Sequence, residues 1–175
     1  YYGIDTAAPI IVKGLKRMEY RGYDSVGVAT KSEDKINLKK GVGKVSEVNK
    51  TVQLDKLPGS IGIGHTRWAT HGKVTDKNAH PHPSNSGRIA IVHNGIIENF
   101  AELKESLEKK NYIFKSETDS EVIANLLQMH YDEKSDVKES LIKTLRDLKG
   151  HYAFVAMFED RTLAAAKFHK PLIIG

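Results

Sequence analysis

Apolar residues at Ile11, Leu15 and Met18 recur every three to four positions along "APIIVKGLKRMEY". That spacing predicts a helix over residues 8–20, with Pro9 in the first turn, where its missing N–H leaves no bond unmade. "YRGYDS" (20–25) is turn chemistry, and β-like runs follow at "VGVAT" (26–30) and "KINLKK" (35–40). A short helix is predicted near 45–53, leading to a strand at "GSIGIGHT" (59–66), whose isoleucines alternate with glycines. Glycine inside a strand often marks a close approach of another backbone or helix. Residues 67–87 lack apolar periodicity and are rich in turn formers, so they read as a long loop. "RIAIVHNG" (88–95) reads as a strand running into a turn.

The next segments change period. "NFAELKESLEKKN" has Asn99 as the expected N-cap, with Glu102 three residues on. "TDSEVIANLLQMHY" offers Thr118 and Glu121 as a capping box, with Val122, Ile123, Leu126 and Leu127 turned inward. "DVKESLIKTLRDL" carries a stripe at Val137, Leu141, Leu145 and Leu148. Strands are expected again at "HYAFVAMF", "RTLAAAKF" and "PLIIG". Strands, then helices, then strands favour an α+β fold of antiparallel sheets with helices packed outside, rather than alternating βαβ units. The 175 residues suit a single domain, 1–175. Stopping on the apolar "PLIIG", the sequence reads as a fragment of a longer protein.

Net charge is +5 with pI near 9.2. The basic excess is spread along the chain with no aromatic-basic motif, so no nucleic-acid partner is expected. No run reaches the roughly 18 apolar residues of a membrane span, and no signal-peptide pattern opens the chain, so a cytoplasmic protein is expected. There is no cysteine, which excludes disulfides, thiolate zinc sites and a cysteine nucleophile within these residues.

The densest chemistry is "HTRWATHG" (65–72). Arg67, where a strand meets a loop, can clamp a carboxylate or phosphate in a bidentate fork contributing about 1.5–3 kcal/mol, or it can be a surface arginine. Trp68 can anchor the loop locally or shield a site under a closing lid. "HPHP" (80–83), with His65, His71 and His93 nearby, raises a metal site against the alternative of solvated or hydrogen-bonded loop histidines. Asn94-Gly95 can make a plain hairpin turn, or present an amide and an N–H as the two donors of an oxyanion hole. One such donor is worth roughly 3–4 kcal/mol at a tetrahedral intermediate. Asp119, in the first turn of a helix, is explained by the helix dipole at about 0.3–1 kcal/mol, or by binding of an ammonium group.

Taken in order, "GLKRMEYRGYDSVGVA", "HTRWATHG", "NAHPHP", "HNGIIEN" and "SETDSEVIA" resemble the glutaminase domain of the sugar-aminating class II glutamine amidotransferases, the glutamine–fructose-6-phosphate aminotransferases. The resemblance covers essentially the whole chain. It implies the N-terminal-nucleophile αββα sandwich, two packed and mainly antiparallel sheets with helices outside. It implies hydrolysis of L-glutamine to glutamate and ammonia, the ammonia being channelled to fructose 6-phosphate to make glucosamine 6-phosphate. By the same resemblance Arg67 holds the α-carboxylate of glutamine, Thr70 and His71 line its pocket, and Asp119 holds the α-ammonium. Asn94 and the Gly95 N–H form the oxyanion hole, Arg21 and Gly22 support the nucleophile's surroundings, and Trp68 gates the ammonia route. No metal or other cofactor is implied. The implied partners are the sugar isomerase domains of the same polypeptide, in a homodimer of the full-length protein. The family's nucleophile is an N-terminal cysteine whose own α-amine is the base, expected about five residues ahead of Tyr1. Two alternatives stand beside this: a catalytically inactive glutamine-binding regulatory module, and a histidine-loop metal hydrolase.

Overall fold

A computed structural model of the chain describes residues 1–33, 35–68 and 73–175. They divide into two compact units, Tyr1–Pro81 with Ser116–Thr118, and His82–Lys115 with Asp119–Gly175.

In the first unit, α1 (Ala7–Met18) buries Ala8, Val12 and Leu15 against Val26 and Val28 of β1 (Ser25–Lys31) and against Val45 and Val48 of α2 (Val45–Val52). Ile11 and Met18 lie about 60–80° round the helix from that stripe at 3.6 residues per turn. Ile11 therefore meets β3 (Ile61–Arg67), where a Cβ on Gly62 or Gly64 would collide with its side chain. Met18, expected inward, is exposed at the last position before a single tight turn, Glu19–Arg21. Three strands form an antiparallel sheet in the order β2-β1-β3, with β2 at Ile36–Val42. Residues 1–3 lie along the outer edge of β3. Tyr2 bridges Ile61, the Tyr1 nitrogen donates to Gly62 O at 2.9 Å, and Gly62 N–H returns a bond to Tyr1 O at 3.0 Å.

The loop after β3 is irregular, as its composition predicts, and it is tied down. Lys40 Nζ of β2 donates to the carbonyls of Ala79 (2.5 Å), Lys77 and Pro81 (both 3.2 Å), and Val42 N–H donates to Asp76 Oδ1 at 2.9 Å. A lysine ammonium donates three bonds and accepts none, which suits it to gather carbonyls that no ladder would use.

The second unit holds a four-stranded antiparallel sheet in the order β4-β5-β6-β7: His82–Pro83, Ile89–Ile97, Gly150–Phe158 and Leu163–Phe168. Three helices stand between β5 and β6 in sequence: α3 (Phe100–Glu108), α4 (Ser120–Lys134) and α5 (Val137–Asp147). Ile89 and Ile91 pair with Phe158 and Ala156 and share a core with Val122, Ile123 and Leu127 of α4. Each such fully buried side chain contributes about 1.5–3 kcal/mol. The inward residues expected on α4 are all buried, and so are Asn125 and Gln128, whose carbonyl oxygens accept the N–H groups of Asn85 and Ser86 at 2.8 Å.

Four local expectations are corrected. β5 does not end in a turn at Asn94-Gly95 but continues to Ile97, paired with β6 throughout. Asn99 holds the N-cap position of α3 as expected but makes no side-chain cap bond; its side chain instead donates to Asp147 O and accepts from Lys149 N–H, both at 2.9 Å. Thr118 and Glu121 form no capping box. Asp119 precedes the helix, and both Glu121 oxygens accept the N–H of Lys115, a donor otherwise stranded in the connection. "PLIIG" is not a strand: His169 turns to φ 56° after a parallel bridge to Tyr152, which takes the chain out of the antiparallel ladder and leaves Ile173 91% exposed.

Candidate active site

In the first unit, the sheet delivers Arg67 at the last position of β3, paired with Ser25. Its side chain is not a surface arginine, since the residue is 5% exposed and Nη1 donates to Lys73 O at 3.4 Å. Gly22 sits directly against this strand end: a Cβ there would come within 2.9 Å of the Arg67 carbonyl carbon, so no larger residue fits without moving the strand. The neighbouring Asp24 N–H donates to Arg67 O at 3.2 Å. Arg21 is exposed in the preceding tight turn. The "YRGYDS" turn therefore braces Arg67 through backbone contact, a role that residue types alone do not disclose. Trp68, next in sequence, is 62% exposed, with its ring 5.7 Å from Tyr23. Thr70 and His71, with Ala69 and Gly72, lie outside the described residues.

Of the histidines read either as a metal site or as solvated or hydrogen-bonded loop residues, His80, His82 and His93 are buried rather than solvated, and His65 and His80 have ring centroids 4.4 Å apart. No group of three or more His, Cys, Asp or Glu among the described residues is arranged to hold a metal ion. No helix among them is long and apolar enough to cross a membrane.

In the second unit, Asn94 and Gly95 lie within the β5–β6 ladder opposite Ala153 and Tyr152. Alternation puts Asn94 on the face away from the helices, where it is exposed. Gly95 has φ 136°, a conformation that L side chains rarely adopt, and a Cβ would run into the carbonyl oxygen of His151. The cross-strand partner Tyr152 is buried, and burial pushes its phenol above the ordinary tyrosine range.

Asp119 is 6% exposed and fixed to the same strand: Ile97 N–H donates to Oδ2 at 2.7 Å. Ser120 Oγ donates to Oδ1 at 3.4 Å and is itself 2.8 Å from His93 Nδ1, the residue beside Asn94. The carboxylate is thus held on the strand that carries Asn94 and Gly95. The Ile97 and Ser120–His93 links are absent from any sequence motif, because a backbone donor three positions past Asn94 leaves no mark on residue choice. Chemically, this unit offers an anion held in place and, near it along one strand, an exposed amide beside a glycine. The first unit offers a guanidinium.

Residues 65–175 match the family described as the glutamine amidotransferase domain. The chain is 51% identical to the glutamine–fructose-6-phosphate aminotransferase [isomerizing] of Pyrococcus horikoshii, covering 100% of this chain and 30% of that protein. It is 49% identical to the enzyme of the same name from Methanothermobacter thermautotrophicus, covering 97% of this chain and 29% of that protein. The chain thus spans about a third of the length of the curated relatives it matches. Among solved structures it is similar to the glutamine phosphoribosylpyrophosphate amidotransferase of B. subtilis complexed with ADP and GMP. The TM-score is 0.77 at 33% identity, over 90% of this chain and 34% of that one. This likeness bears out the expected α+β fold of the N-terminal-nucleophile type. By its sequence match and its fold, the chain belongs to the glutamine amidotransferase domain family.

Proposed function

We propose that this chain is the glutaminase part of a glutamine–fructose-6-phosphate aminotransferase. It hydrolyses L-glutamine to L-glutamate and ammonia, and passes the ammonia to fructose 6-phosphate on sugar isomerase domains of the same polypeptide, in a cytoplasmic homodimer. Residues 1–175 act as one glutamine amidotransferase domain. Arg67 takes the α-carboxylate, with Thr70 and His71 beside it. Asp119 takes the α-ammonium. Asn94 and the Gly95 N–H stabilise the oxyanion, Arg21 and Gly22 support the nucleophile's surroundings, and Trp68 covers the substrate and gates the ammonia route.

The observation that carries this reading is the anchoring of Asp119 on the backbone of the strand that presents Asn94 and Gly95. A zwitterion needs one cation and one anion, and Arg67 is a buried cation at the end of β3. The names and identities of the relatives support the sugar-aminating branch.

The chain contains no cysteine, so the nucleophile belongs to the N-terminal cysteine that the family resemblance places ahead of Tyr1. The register gives such a segment a place to lie. Tyr1 faces Gly62 and Tyr2 faces Ile61, so a strand prolonged by about five residues ahead of Tyr1 would set its first residue opposite Arg67, since antiparallel pairs keep a constant index sum. There the cysteine sulfur attacks the side-chain amide carbon, the α-amine carries the thiol proton to the leaving ammonia, and water hydrolyses the thioester to glutamate.

Replacing that cysteine with alanine in the intact protein should abolish glutamate release from glutamine and leave L-glutamate binding nearly unchanged. Hydrolysis that persists with no cysteine present overturns the mechanism. Glutamine binding without hydrolysis in the unaltered protein would establish the regulatory-module alternative instead.

A further inference from the structure

We infer that Asn78 is a positioning residue for glutamine binding, hydrogen-bonded at once to the loop that follows Arg67 and to the segment that leads into Asp119; this rests on the glutamine-binding function proposed above. Asn78 is 1% exposed. Its Nδ2 donates to Lys73 O at 2.9 Å and to Glu117 Oε2 at 3.2 Å, and its Oδ1 accepts from Glu117 N–H at 2.9 Å. Lys73 O is the same carbonyl that accepts from Arg67 Nη1. Glu117 stands two positions before Asp119, within the short segment Ser116–Thr118 that belongs to the first unit although the residues on either side belong to the second.

Asn78 therefore bonds the carbonyl that Arg67 also uses and, through Glu117, the segment two positions before Asp119. The backbone around it is fixed independently, by Asn78 N–H to Thr75 O at 3.1 Å and by Lys40 and Val42 of β2. Residue chemistry explains why an asparagine stands here. Donation to a carbonyl and acceptance from an N–H through one short side chain require a carboxamide: aspartate cannot donate, and leucine can do neither. The side chain reaches Glu117 from a loop fastened to β2, so it keeps the Ser116–Thr118 segment on the body that carries Arg67.

The test is calorimetry with L-glutamate, glutarate (no α-amine) and 4-aminobutyrate (no α-carboxylate) on the intact protein, together with steady-state hydrolysis. Asn78→Ala should weaken L-glutamate about tenfold and raise the KM for glutamine to match, with kcat within about twofold. The weak binding of glutarate and 4-aminobutyrate should be unchanged, because each lacks one of the two groups whose placement is at stake. Asn78→Asp, of the same size and still able to accept from Glu117 N–H, should show the same selective loss, and it decides the matter if Asn78→Ala does not fold. Glu117→Gln keeps the backbone N–H and a side-chain oxygen, and should bind as the unaltered protein does. Equal losses for all three ligands, or unchanged L-glutamate affinity in a folded Asn78 variant, overturn the inference. Arg67→Ala and Asp119→Ala separate the two levels: if they retain L-glutamate binding the function itself fails, and if they lose it while Asn78→Ala does not, only Asn78's role fails.

Discussion

β3 presents Arg67, proposed to hold the α-carboxylate, at its final residue, whereas β5 carries Asn94 and Gly95 inside a ladder that continues to Ile97. The two strands accordingly fix different things. At the end of β3 the backbone is braced by Gly22 and Asp24, but the guanidinium depends on a loop carbonyl, Lys73 O. In β5 the backbone itself is the instrument: pairing with Tyr152 and Ala153 and the unusual φ of Gly95 set its peptide groups, and a further backbone donor, Ile97 N–H, holds the carboxylate of Asp119. A side chain held by a loop can be retuned by residues in that loop. A peptide group held by a ladder can be changed only by disturbing the sheet.

The comparison predicts its largest effect at Gly95. Gly95→Ala forces a Cβ onto the carbonyl oxygen of His151 at a positive φ, so it should cost more than about 3 kcal/mol of stability, read as a lowered denaturation midpoint. It should also reduce glutamine turnover more than about a hundredfold. An alanine variant that melts and turns over normally would show that the ladder does not fix this peptide. Asp119→Asn removes the charge but keeps an oxygen for Ile97 N–H, so stability should move by less than about 1.5 kcal/mol while L-glutamate binding weakens about thirtyfold. A change in stability without a change in binding would make the carboxylate structural. Arg67→Lys keeps the charge and loses the planar fork, and should weaken L-glutamate about tenfold in the same calorimetry. The smallest effect is expected on the helices. A hydrogen bond from half-buried Lys143 holds the Glu133 carboxyl below its usual range, and Lys143→Ala should shift the melting temperature by less than about 2 °C.

Burial on β6 adds a pH dependence to this contrast. Tyr152, opposite Gly95, has its phenol raised by desolvation, and so does Tyr131 of α4. A group whose folded value lies above its unfolded value near 10 contributes stability fully below about pH 10, and loses it as pH rises through the folded value. Denaturant midpoints should therefore fall above about pH 10, in step with phenolate absorbance.

How much of this was legible depends on whether a feature acts through residue type or through backbone geometry. The periodicity found α1, the stripe of α4 and six of the seven strands among the described residues, because burial of one face selects apolar residues at fixed spacing. Arg67 and Asp119, in two separate motifs, stood out as charged residues at element ends, but their proposed roles came from the family resemblance. The continuation of β5 through Asn94-Gly95 was not: that dipeptide favours tight turns, and only pairing with β6 overrides the preference. Asn99 stands at the N-cap of α3 as expected, but its side chain and that of Glu121 do not close their helix ends, because they are taken up by other backbone groups, at Asp147, Lys149 and Lys115. The bond between Asn78 and Glu117 joins positions far apart in sequence, and no local pattern encodes it.

The three helices between β5 and β6 also bear on how the second unit assembles. β1 and β2 are joined by a short connection and can zip from their turn, whereas β5 must find β6 across α3, α4 and α5. Closing so long a loop costs entropy before any ladder bond repays it, which slows folding relative to a local hairpin. Glu98 N–H on Lys149 O, with the Asn99 side chain spanning Asp147 and Lys149, forms the knot where that loop closes. The pairing that holds Asn94 and Gly95 against β6 is therefore a long-range contact, expected to form later than the local pairing of β1 with β2.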